Sequence, residues 1–200
     1  MSNARNLANL LGTSSTLPAS KAPDGTRILI HSYSLGVDTA NVSFDNTHIT
    51  DTYDDYILEA KHFTPTTDSD EMIVQCSSDN GSNYATSGHA RHYLRLAANA
   101  ASGNEVGTNT YIQLGTDMGN DANRGATFEC RFMGLRNTSH YKYMYFESCG
   151  KHANDEYQWR GGSSIAVTTA INNMRVGFVS GNIAAGAKVA LYGIKGSNYS

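Results

Sequence analysis

Two spacings of apolar residues divide the chain. Over the first dozen residues, Ala4, Leu7, Ala8 and Leu11 recur at three- and four-residue intervals, with Ser2 placed to cap a helix and Gly12 placed to end it. A helix this short is marginal alone, so it needs a surface to dock on. Residues 13–25 carry Ser, Thr, Pro18 and Pro23 and few apolar groups, which predicts an extended linker. From Thr26 onward the period becomes two. Ile28 and Ile30 alternate with their neighbours, and Val42 and Phe44 follow after Gly36. Between Tyr53 and Phe63, Tyr56, Leu58 and Ala60 share a face while Glu59 and Lys61 point the other way. Met72, Val74 and Cys76 form the next inward set, ending at the turn signal Ser78-Asp79-Asn80-Gly81.

The second half repeats this grammar. His92, Leu94 and Leu96 alternate with Arg91, Tyr93 and Arg95, and Ile112 and Leu114 with Tyr111 and Gln113. Phe128, Cys130 and Phe132 precede a turn near residues 137–139, and Met144 and Phe146 are set against Tyr141, Tyr143 and Tyr145. Ile165 and Val167 come next, then Met174, Val176 and Phe178, then Val189, Leu191 and Tyr192 after Gly181-Asn182. About ten short strands between turn clusters predict an all-β fold, an antiparallel β-sandwich or jelly roll over residues 26–200, preceded by an N-terminal arm over residues 1–25. The stretches 97–108 and 115–125 read as long polar loops, the usual place for binding surfaces.

Composition agrees. Ser, Thr, Asn and Gly make 75 of the 200 residues and charged residues only 33, a balance that disfavours helices because short polar side chains compete for backbone hydrogen bonds. The net charge of −3 supplies no basic field for a phosphate backbone, so nucleic acid is not an expected partner. The longest nearly apolar stretch, Ile183 to Ile194, is broken by Lys188 and glycines and falls short of a membrane span. The apolar run at Leu7 to Leu11 is too short for a signal-peptide core. Cys76, Cys130 and Cys149 are odd in number and widely spaced, which points to reduced thiols in or near a core rather than to disulfides or zinc.

Three segments carry a family likeness. The opening Ser2-Asn3-Ala4-Arg5-Asn6-Leu7-Ala8-Asn9-Leu10-Leu11 resembles the short N-terminal segment of tail-fibre and other appendage proteins of tailed bacteriophages. The closing run from Gly181 to Ile194, with its Leu191-Tyr192-Gly193, resembles the terminal strand pair of β-sandwich domains in the same virion proteins. Residues Tyr53 to Phe63, Pro65 and Met72 to Gly81 are similar to that family's hairpin. Asn6 stands where an acidic residue is expected after Arg5, and no collagen-like or coiled-coil shaft precedes the body. The resemblance implies a compact virion subunit, assembled in the host bacterial cytoplasm, of the tail-fibre, baseplate or capsid-decoration kind, and a homo-oligomer, with a trimer as the expected symmetry.

Catalytic signatures are sparse. No Gly-x-Ser-x-Gly elbow, P-loop, dinucleotide fingerprint or His-Glu-x-x-His occurs. His89 and His92, three apart on a strand, face opposite ways and cannot share a metal. Asp51, Asp54, Asp55 and Glu59 read as a solvated strand start rather than the carboxylate pair of a glycosidase, so a depolymerase finds no cleft. Asp117, Asn120, Asp121, Asn123 and Gly125 offer oxygens that Ca²⁺ would accept, but without the pattern of an EF-hand; no metal, cofactor or enzymatic activity is expected. Three interaction readings remain. Leu7, Leu10 and Leu11 are the arm's anchors on another virion protein. Tyr141, Tyr143, Tyr145 and Trp159 are candidates for a subunit interface or for a face that binds a host-surface glycan.

Overall fold

A computed structural model describes residues 22–85, 89–97, 100–152 and 155–196. The arm residues Leu7, Leu10 and Leu11 lie outside them. The described chain forms twelve strands: β1 (Arg27–Ser34), β2 (Asn41–Phe44), β3 (Tyr56–Phe63), β4 (Asp70–Ser77), β5 (His89–Ala97), β6 (Ala100–Asn109), β7 (Ile112–Met118), β8 (Ala126–Met133), β9 (Lys142–His152), β10 (Asp155–Ile165), β11 (Asn173–Phe178) and β12 (Lys188–Ile194). All pair antiparallel. They make an eight-stranded sheet in the order β1-β12-β3-β8-β9-β10-β5-β6 and a four-stranded sheet in the order β2-β11-β4-β7. The predicted all-β sandwich is the observed architecture.

The sheets close on the alternating residues. Tyr56, Leu58 and Ala60 of β3, Phe128, Cys130 and Phe132 of β8, and Met144 and Phe146 of β9 point into one core with Met72, Val74 and Cys76 of β4 and Met174, Val176 and Phe178 of β11. Phe63 stacks on Phe178 across the gap with ring centroids 4.9 Å apart, so an aromatic pair ties the sheets directly. The Ser78–Gly81 turn forms where its chemistry predicts, with Asn80 and Gly81 at φ of 58° and 84°. Ser77 Oγ–H donates to Asp79 Oδ1 at 2.6 Å, and this bond, with those from Asn83, holds the Asp79 carboxyl down at about 2.

Several expectations change. The polar stretch 97–108 read as a loop is mostly strand, with β6 covering 100–109, whereas β7 takes only 115–118 of the second stretch and leaves 119–125 as loop. β6 is the outermost strand and packs mainly against β5, so no covering layer among the described strands demands an alternating apolar face from it. Asp55 is not solvated; it is buried, accepts Arg131 Nη2–H at 3.0 Å and caps the Gly134 N–H. Asp51 instead meets Arg136 at 2.7 Å. Cys76 and Cys130 fill the core and their thiols are pushed up by burial, Cys76 to about 12, whereas Cys149 is exposed. The carboxylates of the 117–125 loop turn to separate cations, Asp117 toward Arg95 at 3.7 Å and Asp121 toward Arg124 at 2.7 Å. Among the described residues no group of three His, Cys, Asp or Glu is placed to hold a metal ion.

Candidate functional site

Among the described residues, the four-stranded sheet covers one face of the larger sheet and nothing covers the other. On that outer face, the pairing register places Glu59 of β3 opposite Glu129 of β8, and Glu129 opposite Glu147 of β9. The row continues through Arg160 of β10 to Leu94 of β5. Like charges directly opposite one another on adjacent strands are unfavourable. Arginines offset the repulsion. Arg27 reaches from β1 with Nη1–H to Glu59 Oε1 at 2.6 Å and to Glu129 Oε2 at 2.9 Å, and with Nη2–H to Glu129 Oε1 at 3.0 Å. Glu147 Oε1 accepts from Arg160 Nη2–H at 2.8 Å and from Gln158 Nε2–H at 2.6 Å. The Arg160 bond is the main cause of the lowered pKa of the Glu147 carboxyl.

Glu59, Glu129, Glu147, Arg160 and Leu94 line a groove of about 870 Å³, with Tyr145, Lys61, Thr127 and Cys149 at its sides. A second hollow of about 610 Å³ meets it at Thr127 and Cys149 and continues past Leu96 and Gln158. Sequence reading missed this row because its members lie on strands distant along the chain. It also left open which way β5 faces: Tyr93, Arg95 and Ala97 turn inward, so Leu94 and Leu96 stand outward at 43% and 39% exposure. Arg95 lies over the Tyr157 ring at 4.4 Å, which lets its guanidinium occupy the partly apolar inner side.

The tyrosines are where alternation puts them. Tyr141 precedes β9 and Tyr143 and Tyr145 lie on it, all three about half exposed. Between them Lys142 points inward, fully buried, and its Nζ–H groups donate to the carbonyls of Asn137 (2.6 Å), His140 (3.1 Å), Val167 (3.1 Å) and Thr168 (3.0 Å). Desolvation lowers its pKa, with the Asp54 charge opposing. One ammonium thus joins two loops behind the tyrosines and fixes the start of β9. No apolar pattern announces such a lysine.

Trp159 does not belong with the tyrosines. It is 1% exposed on the inner face, beside Tyr157 with ring centroids 5.3 Å apart. β7 approaches it closely: a Cβ added to Gly115 would sit 3.4 Å from Trp159 Cε3 and 3.0 Å from Met118 Cε. Odd and even positions of β10 face opposite ways, so Arg160 joins the outer row and Trp159 cannot. His89 of β5, opposite Ile165, is likewise inward and fully buried, while His92 is exposed.

Chemically, the outer row is a set of ionised carboxylates held by guanidinium groups. A glycosidase acid needs one carboxyl kept protonated, and Arg160 pushes Glu147 in the opposite direction. The row is suited to accepting and donating hydrogen bonds. Compared with known proteins, the chain matches no family model and no curated sequence.

Proposed function

We propose that the chain is a structural subunit of a tailed-phage virion, an appendage of the tail-fibre or baseplate type that works by assembly, with residues 1–25 as its anchor. The observation that carries this reading is where the sandwich begins and ends. Gly25 N–H donates to the Lys195 carbonyl at 2.7 Å and Lys195 N–H to the Thr26 carbonyl at 3.0 Å, so both ends of the described body leave from the β1–β12 edge of the large sheet. The β5–β6 hairpin forms the opposite edge. An arm leaving from β1 can hold the body by one side and leave the outer face of the sheet free for contacts. Each of Leu7, Leu10 and Leu11, fully covered by a partner, contributes about 1.5–3 kcal/mol, and repetition around a particle multiplies that affinity. The likeness of the Ser2–Leu11 and Gly181–Ile194 segments to phage appendage proteins supports the same reading.

Deleting residues 2–12 tests it. The truncated protein is expected to keep the melting curve of the full chain and to be missing from assembled particles. Normal incorporation of the truncated subunit would overturn the reading.

A further inference from the structure

The groove on the outer face offers a particular kind of complementarity. It crosses the face of a sheet whose backbone N–H and C=O groups are spent on neighbouring strands, so an extended peptide gains no main-chain pairing there, as it would at an edge. Its recognition surface is therefore made of side chains. Apolar surface comes from Tyr145 and Leu94, which are 47% and 43% exposed. Gly162, paired with Tyr145, adds no side chain beside it, and the space above is open: an added Cβ would meet only the Met144 carbonyl, at 3.4 Å.

Polar capacity is left over in the same groove. All the donors on Glu147 reach Oε1, and Arg27 reaches Glu59 through Oε1 alone. Among the described residues, the Oε2 atoms of Glu59 and Glu147 accept no hydrogen bond. Acceptors beside guanidinium donors match vicinal hydroxyls, each of which donates and accepts, while a ring's C–H face matches an aromatic side chain. Across the groove and the second hollow, Glu59, Glu129, Glu147 and Glu156 are balanced by Lys61, Arg160, Arg124 and Lys151, so the lining has no net charge with which to favour an acidic or basic polymer. Its continuation past Cys149 into the second hollow suits a chain rather than a single ring.

We propose that this groove binds a neutral, linear oligosaccharide, with Tyr145 and Leu94 against ring faces and Glu147, Arg160 and Glu59 on hydroxyls. The binding is independent of how the body is held to a particle. It is tested on the full chain, titrated with linear tetrasaccharides of glucose, galactose and N-acetylglucosamine and with a heparin tetrasaccharide, using saturation-transfer NMR and calorimetry. A neutral tetrasaccharide is expected to saturate the protein with a Kd of roughly millimolar or tighter. Tyr145→Ala and Glu147→Ala are each expected to weaken it about tenfold, with Val179→Ser, at an exposed position elsewhere, leaving it unchanged and all three variants keeping the parent melting curve. Absence of binding by every neutral saccharide, binding of heparin alone, or affinity unchanged in both groove variants would each overturn the proposal. So would a self-associated form that Tyr145→Ala dissolves with no saccharide response, which would assign the face to a second copy.

Discussion

Strand β9 has two faces that differ in what covers them. Met144, Phe146 and Ser148 lie against the smaller sheet and are at most 2% exposed, whereas Tyr143 and Tyr145 on the other side are 53% and 47% exposed. Both faces carry large, partly apolar side chains, so hydrophobicity alone does not separate them. The distinction lies in polarity at the tip. A tyrosine keeps its hydroxyl in water while its ring is offered to a partner; Met144 and Phe146 have no such group and require a second layer. Lys142 is the exception on the inner side, tolerated because four backbone carbonyls solvate its ammonium in place of water.

The sharpest challenge to this contrast is truncation at the largest fully buried side chain among the described residues. Trp159→Ala is expected to cost about 4 kcal/mol, measured as a shift in the urea unfolding midpoint at constant slope; a cost near zero would mean that β7 does not close over β10. Next comes Lys142→Met, which keeps the length but leaves the Asn137, His140, Val167 and Thr168 carbonyls without their donor. A loss of about 2–3 kcal/mol is expected, with faster amide exchange in both loops, and a neutral outcome would remove the lysine's role as a staple.

A pH effect separates the faces at their far end. Among the described residues, neither ring nitrogen of the buried His89 has a hydrogen-bond partner within bonding geometry, and desolvation lowers its pKa, offset only in part by the nearby Ala85 carbonyl. The unfolded chain therefore takes up a proton that the folded chain refuses. The resulting stability is complete above about pH 6.5, the ordinary histidine value, and is lost as pH falls below it. Urea midpoints should drop between pH 7 and pH 5, and His89→Leu should flatten that drop; an equal drop in the variant would place the sensitivity elsewhere. The smallest effect belongs to the outer face, where Tyr143→Ser should change stability by less than about 0.5 kcal/mol. A larger loss would show that this tyrosine supports the sheet instead of facing a partner.

Much of the fold is legible in order along the chain. Alternation at Tyr56-Leu58-Ala60, Met72-Val74-Cys76 and Phe128-Cys130-Phe132 gives both the strand and its inward face, and Asn80-Gly81 gives the turn, because a pleated strand forces period two and positive φ selects those residues. β6 escapes such reading, since the outermost strand, packed mainly on β5, has no covering layer among the described strands to select an apolar face. The direction of β5 also escapes, because Leu94 and Tyr93 are both acceptable inside until a covering sheet chooses between them. Trp159 shows the converse: a lone tryptophan suits a core or an interface equally well, and Gly115 of β7 decides for the core.

What the sequence determined by itself is the kind of molecule: period-two apolar runs separated by Gly, Asn and Ser turns leave an antiparallel sandwich as the way to bury one face of every strand. What only the tertiary structure decided is which residues meet on the other face. Glu59, Glu129, Glu147, Arg160 and Leu94 come from five strands and become neighbours only when the pairing register aligns them. Register is a property of strand pairs, and a one-residue slip in any of them would send its member of the row to the opposite face.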